Sequence, residues 1–454
     1  MSQLDTKSQR SETIRRDKKF VWHPYTEMSS YIESTEPLVI DRAAGSRLFE
    51  KDGRVIIDGN SSWWTALLGH QHPRLVKALT DQAQRLCHTS LGGVTHEPAV
   101  DFAEEVLRVA PPGVSRVFFS DNGSTAVEAA LKMAVQFHQQ RPVSQFRPQS
   151  PGSRTHFISL EDAFHGETMG VTALGGVEAF RRPFGSMTMP VTHLPSPADD
   201  LDRSLSALEQ VLSEREGEIA GLVVEPLIQG AGGMKIYDPE FLNRARELTE
   251  RSGVLLIVDE VFTGYGRTGS FWALNQTAIQ ADIVASAKGM SGGMLPFAAT
   301  LTSEEVYRAF LGDRSRTFMY GHTYCGNPLG AAVAAEVLRV YRDEEILAGV
   351  QARAKMIAET FQQLAALPGV ENSRSLGMCG ALELNPGESP SRKGYLANAG
   401  WEVYRLALER GVYIRPLGNV VYTVPPLNIP EEDLELLLRV LAESVMEVVG
   451  FHGE

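Results

Sequence analysis

The stretch Val254–Gly293, VLLIVDEVFTGYGRTGSFWALNQTAIQADIVASAKGMSGG, decides the fold. It holds two short apolar runs, Val254–Asp259 and Asp282–Ala285, the first ending at Asp259 and the second followed closely by Lys288. Continuous β-branched runs of this length fit strands covered by helices on both faces of a parallel sheet. Such sheets present ligand-binding groups at the carboxyl ends of their strands, where Asp259 falls. Lys288 sits between alanine and glycine and ahead of Ser-Gly-Gly, which leaves room for a bulky adduct on its amine. Similar runs at Arg116–Ser120, His156–Leu160 and Gly221–Glu225, with helical stretches between them, predict an α/β fold with a largely parallel sheet.

Asp259 and Lys288 together supply what pyridoxal phosphate requires: an amine to hold its aldehyde, and a carboxylate to keep its ring nitrogen protonated. Taken singly, each has a plainer reading, Asp259 as a turn cap and Lys288 as a surface charge. A third element strengthens the pair. In RVFFSDNGSTAVEAALKMA an apolar strand runs through a loop into a helix beginning around Ser124. The N–H groups of Gly123, Ser124 and Thr125 then converge at a helix N-terminus, a ready site for a phosphate. The plainer reading is helix capping by Asp121 or Ser124. With no GxxxxGK[ST] run and a single GSTA, nucleotide hydrolysis and dinucleotide binding lack support.

The remaining composition narrows the class. The chain of 454 residues, 43% hydrophobic and 22% charged, can build a large domain and a smaller one. No apolar run approaches the roughly 20 residues that cross a bilayer, so no membrane partner is expected. The polar first twenty residues lack a secretory signal and read as a frayed arm, which places the protein in the cytoplasm. A net charge of −13 argues against nucleic acid. Cys87, Cys325 and Cys379 form no CxxC pair, and the histidines show no HExxH, so no metal site is expected. Gln139–Arg154, rich in Pro, Gln and Ser, reads as a surface loop, and a second irregular stretch runs from Gly175 to about Ala198. The division expected is an N-terminal segment, 1–72, contributing to the small domain and the site, a large domain, 73–330, and a C-terminal small α+β domain, 331–454. The last carries strands near Ala381 and Val412 and a closing helix with Leu434, Leu437, Leu438, Leu441, Val445 and Val448 on one face.

The runs DEVFTGYGRTG, SAKGMSGG and EPLIQGAGGM resemble the class III aminotransferases of the fold-type I pyridoxal-phosphate enzymes, and the resemblance extends from Phe20 to the last helix. It implies a mostly parallel seven-stranded sheet with a smaller α+β domain, and a homodimer with shared active sites. It makes Lys288 the cofactor lysine, Asp259 the ring-nitrogen partner, Gly123 and Ser124 phosphate ligands, and Phe164 in DAFHGET the aromatic against the ring. Thr323 in YGHTYCGNP matches a threonine that reaches the neighbouring subunit's phosphate, with Gly321 beside it near the substrate.

Within the class, WHPYTEM, DGNSSWWTALLGHQHP and YIRPLGNVVYTVPP resemble the branch that aminates 8-amino-7-oxononanoate in biotin synthesis. That keto acid is a long aliphatic chain ending in a carboxylate, so it calls for an aromatic trough closed by a cation. Tyr25, Trp63, Trp64 and Tyr422 are the trough candidates and Arg415 the clamp. If the two tryptophans lie on a strand they face opposite ways and only one touches ligand. Arg267 either binds a substrate carboxylate or braces its turn against Glu225. Phe164, Glu167 and the run Gly321-His322-Thr323-Tyr324-Cys325 depart from the pattern of enzymes that take the amino group from S-adenosylmethionine, and lysine is the alternative donor. Competing activities are another class III ω-amino acid or diamine aminotransferase, or a pyridoxal-phosphate aminomutase. A non-enzymatic scaffold conflicts with the intact Lys288, Asp259, Gly123 and Ser124.

Overall fold

The computed structural model describes residues 3–141, 154–385 and 397–450, so the expected loop at Gln139–Arg154 lies mostly outside the described residues. The central sheet has seven strands: β1 (Val114–Ser120), β2 (His156–Leu160), β3 (Val191–Leu194), β4 (Ile219–Val224), β5 (Leu255–Asp259), β6 (Ile283–Ser286) and β7 (Ala298–Ser303). Their order across the sheet is β1-β7-β6-β5-β4-β2-β3. All run parallel except β7, which is antiparallel to both β6 and β1. Strands β2, β4, β5 and β6 are buried along their whole length, which is why their sequences are apolar without alternation. The register sets Asp259 level with Ala285, so the end of β5 and the segment leading to Lys288 emerge side by side.

The helix Gly123–Gln140 covers one face of this sheet, burying Ala126, Val127, Ala130, Leu131, Ala134 and Phe137 at helical spacing. The helix Pro328–Asp343 packs against the helices Pro73–Arg85 and Glu97–Val109. Beyond it, the helices Ile346–Leu364 and Glu431–Val448 pack together beside the three-stranded antiparallel sheet of Val370–Leu376, Cys379–Leu384 and Val420–Thr423. In the last helix Leu434, Leu437, Leu438, Leu441 and Val445 are buried and Val448 packs against them. Val412–Tyr413 pairs in parallel with Val55–Asp58, so the two ends of the chain share one sheet.

Two expectations are corrected. The stretch from Gly175 to Ala198 is not wholly irregular, because β3 lies within it. Four residues at a sheet edge, only Leu194 of them fully buried, are too few to leave a periodic signal. Nor is the N-terminus a frayed arm: Gln3–Phe20 is a helix of 18 residues. It has no apolar stripe and is tied down by charge instead. Arg10 pairs with Glu36 and, at 2.9 Å, with the buried Glu50, while Asp17 accepts the Tyr31 hydroxyl at 2.5 Å and pairs with His23 at 3.0 Å. Among the described residues no helix is long and apolar enough to cross a membrane.

Candidate active site

Asp259 closes β5 as a buried carboxylate. Its Oδ1 accepts the Val261 N–H at 3.0 Å, and its Oδ2 lies 2.8 Å from Nδ1 of His165, a side chain also shut from solvent. Burial pushes the His165 imidazole down, but the hydrogen bond and charge of Asp259 outweigh it, and the net shift is upward. The contact fixes the orientation of the Asp259 carboxylate at the end of β5. Beside it Glu225 accepts the N–H of Phe164 at 3.0 Å and of Gly230 at 2.9 Å. Burial, reinforced by Asp259, lifts the Glu225 carboxyl to about 7, with His165 and the two N–H groups pulling the other way.

Lys288 begins a short 3₁₀ turn after β6. A Cβ on Gly289 would come within 2.4 Å of Leu67 Cδ1 and 2.9 Å of Tyr265 Cβ, so the turn is seated by a close approach that only glycine permits. Nζ of Lys288 lies 5.0 Å from the centre of the Trp64 ring. Burial lowers the pKa of this amine, and Asp259 and Glu225 oppose the shift without reversing it. A lysine so placed sheds its proton more readily than one in water, as a nucleophilic amine must.

Lys288 and Gly123 line one cavity of about 340 Å³, together with Thr65, Asn122 and Ser291. Asn122 and Thr125 form a capping box in which Asn122 Oδ1 takes the Thr125 N–H at 3.1 Å. That consumes one of the three N–H groups expected to face a phosphate. Those of Gly123 and Ser124 have no acceptor among the described residues, and a Cβ on Gly123 would meet Val261 Cγ1 at 2.8 Å. Two open N–H groups at a helix N-terminus, an uncapped amine and an oriented carboxylate fit pyridoxal phosphate. Capping falls to Asn122, not to Asp121 or Ser124; Ser124 Oγ accepts the Glu167 N–H at 3.1 Å instead.

Ser61, Ser62, Trp63 and Trp64 all have positive φ, between 45° and 75°, and form a left-handed turn closed by Trp64 N–H to Asn60 O and Thr65 N–H to Ser61 O. The expected strand with opposed tryptophans is thus replaced by a turn of the disfavoured hand. Trp64 is 4% exposed, donates Nε1–H to Tyr422 OH at 3.0 Å and packs on Phe262, so it and Tyr422 form the wall behind Lys288. Trp63 is 43% exposed and faces Tyr25, with ring centres 5.6 Å apart, and Arg415, whose Cζ is 5.3 Å from its ring. Arg415 has no acidic partner among the described residues, and Nη2 reaches only the Tyr25 carbonyl, at 3.5 Å. Tyr25 also bonds Glu167 Oε1 at 2.5 Å and meets Phe180 edge-on, and Phe180 meets Phe164 in the same way.

His165, Glu225 in its present setting, Phe180 and Trp401 were missed by sequence reasoning. His165 stands inside DAFHGET and could have been questioned there; nothing local marked Phe180 or Trp401.

Arg267 does not brace its turn against Glu225, whose carboxylate is already held by Phe164 and Gly230. The guanidinium is wholly buried, Nη1 donates to Pro425 O at 2.8 Å, and Nε and Nη2 have no partner among the described residues. Burial pushes its pKa down to about 10. Gly321 and Thr323 stand exposed on a turn where His322 contacts Asp121 at 3.0 Å and Tyr320 at 3.1 Å. Ligand atoms of Asp121, His322 and Cys325 fall within 4.8 Å of one another there, a grouping that motif spacing did not reveal.

The family model described as Aminotransferase class-III matches residues 30–445. The adenosylmethionine-8-amino-7-oxononanoate aminotransferase of Geobacter sulfurreducens is 38% identical, over 97% of this chain and 99% of that protein. The protein of the same name from Aquifex aeolicus is 36% identical, over 95% and 96%. The crystal structure of the Methanocaldococcus jannaschii adenosylmethionine-8-amino-7-oxononanoate aminotransferase superposes with a TM-score of 0.89 at 32% identity, covering 96% of this chain and 99% of that one. An omega transaminase from Pseudomonas jessenii, solved in complex with PMP, gives 0.87 at 26% identity, over 97% and 99%.

Proposed function

The chain belongs to the class III aminotransferases, and from that premise we propose that it moves an amino group onto 8-amino-7-oxononanoate, giving 7,8-diaminononanoate in biotin synthesis, with S-adenosylmethionine as donor. Its cofactor is pyridoxal phosphate, which when bound supplies an aldehyde to take up the amino group and a ring to accept the electron pair of a broken C–H bond.

The protein's own groups divide the work. Nζ of Lys288, its basicity tuned by burial, holds the cofactor and then carries a proton to and from the substrate carbon. Asp259, oriented by His165 and the Val261 N–H, would be the carboxylate that partners the cofactor's ring nitrogen. The open N–H groups of Gly123 and Ser124 would hold the phosphate, and Phe164, pinned through its N–H by Glu225, would supply the aromatic against the ring. Tyr25 and Trp63 line the path of the aliphatic chain to Arg415.

The observation that carries the acceptor assignment is the pair of adjacent tryptophans. Trp64 lies against the Lys288 amine and Trp63 against an arginine with no acidic partner among the described residues, so reacting amine and charge clamp flank one pair of indoles. A short diamine would have no use for such an arginine, whereas a long chain with a terminal carboxylate needs it. The exposure of Thr323 and the 87% exposure of both Trp22 and Met319 favour a homodimer in which Thr323 serves the neighbouring site, and we place the protein in the cytoplasm.

The test is the visible spectrum of the purified holoenzyme. Adding 7,8-diaminononanoate should bleach the cofactor band, and S-adenosylmethionine should do the same. No response to the diamino acid sinks the acceptor assignment, and bleaching by lysine but not by S-adenosylmethionine reassigns the donor.

A further inference from the structure

We propose that Trp401 is a positioning residue that fixes the plane of the Arg415 guanidinium and thereby sets selectivity for a carboxylated acceptor. The proposal rests on the reading of Arg415 as the carboxylate clamp.

Arg415 Cζ lies 5.2 Å from the centre of the Trp401 ring and 5.3 Å from that of Trp63, so the guanidinium is flanked by two indoles. Its other contacts are a main-chain bond to Asn60 Oδ1, the Tyr25 carbonyl at 3.5 Å, and the Tyr413 hydroxyl. Other arginines that organise this fold are held by acids: Arg47 by Asp433 at 2.5 Å, Arg74 by Glu336 at 2.7 Å. An arginine gripped by a carboxylate is fixed but already satisfied. One held by π-faces, a main-chain oxygen and a neutral hydroxyl keeps its charge available and its plane defined.

The two indoles are not equivalent. Both are partly open, Trp63 at 43% and Trp401 at 37% exposure, but Trp63 belongs to the left-handed turn whereas Trp401 stands on a helix. Trp401 lies in the first turn of the helix Ala399–Glu409, edge-on to Tyr404 at 5.4 Å, and Tyr404 is in turn edge-on to Tyr413 at 5.8 Å. This aromatic row anchors Trp401 in the smaller unit and makes it the fixed face. Without it the guanidinium, on a long side chain with several rotamers, would sample orientations unsuited to a bidentate pair. Trp401 stands on the helix Ala399–Glu409, whereas Lys288 and Asp259 stand at strand ends of the central sheet, so the loss falls on binding of the carboxylated end and not on proton transfer.

The experiment measures bleaching of the holoenzyme by 7,8-diaminononanoate and by a vicinal diamine of equal length lacking the carboxylate. Trp401→Leu keeps apolar bulk and removes the π-face; it should raise the half-saturating concentration of the diamino acid by about tenfold and leave that of the diamine unchanged. Trp401→Phe keeps a smaller π-face and should restore most of the difference. Equal shifts for both ligands, or none for either, overturn the proposal. If Arg415→Ala abolishes the discrimination and Trp401→Leu does not, the proposal fails while the acceptor assignment stands. A wild-type protein that treats the two ligands alike overturns both.

Discussion

The half of the site around Asp259 and the half around Arg415 are built by different means. Asp259, Lys288 and Gly123 stand at strand ends or a helix start of the central sheet, Asp259 buried and the other two facing the cavity they line, each held by the hydrogen-bond or packing register of its neighbours. Tyr25, Trp63 and Arg415 come from three separate segments, are partly exposed, and meet through aromatic contacts. On the reading proposed, the first half performs chemistry common to a class and the second selects one molecule, and the sheet over-determines the geometry of the first. The second is assembled from stretches that can change without disturbing the sheet.

The sharpest way to break the comparison is Lys288→Ala. Turnover should fall by ~10⁴ or more and the cofactor's lysine-bound absorbance should disappear, because both the covalent anchor and the proton carrier go together. Normal multiple turnover in that variant would remove the basis of the cofactor half. Next in size is Asp259→Asn, expected to lower kcat by ~10²–10³ while the cofactor stays bound, as absorbance and phosphate analysis would report. Arg415→Ala acts on the other half: KM for the keto acid should rise by about 30–100-fold with kcat nearly unchanged, the signature of lost binding common to ground and transition states. A fall in kcat instead would mean that the two halves are not separable.

The smallest predicted effect concerns pH. Burial raises the Glu225 carboxyl from its ordinary 4.5 to about 7, so between those values the folded chain holds a proton that the unfolded chain has lost. Stability from this group is fully present below pH 4.5 and is lost as pH rises through about 7. Glu225→Gln should therefore flatten the decline in unfolding free energy between pH 4.5 and about 7, by at most about 1.4 kcal/mol per pH unit. An unchanged slope would show that Glu225 is not titrating in this window.

What was legible from sequence follows the same division. Continuous apolar runs predicted β1, β2, β4, β5 and β6, and Asp259 and Lys288 declared themselves because their meaning is local: a charge at a strand end, a lysine among small residues. His165 was not legible because its partner Asp259 is 94 positions away and no spacing rule joins them. The helix Gln3–Phe20 escaped because it is held by ion pairs and has no apolar stripe. The hand of the turn Ser61–Trp64 ran against residue preference, since tryptophan and serine carry a Cβ that disfavours positive φ. Local propensity reports what a segment would do alone, and here the hydrogen bonds of Ser61 Oγ to Val424 O and of Ser62 Oγ to Asp58 Oδ2 impose another answer.

That turn bears on any attempt to redesign the protein for unnatural amines. A left-handed conformation costs roughly 1–2 kcal/mol per residue with a side chain, and glycine is exempt. Trp63→Gly would open the trough and relax the backbone in one edit, the relief offsetting the ~1 kcal/mol or so of aromatic contact given up. Enlarging an active site ordinarily weakens the scaffold that carries it. At this position a catalyst engineer inherits a scaffold already tensioned against the wild-type residue, so a broader substrate range and an undiminished melting temperature are compatible goals.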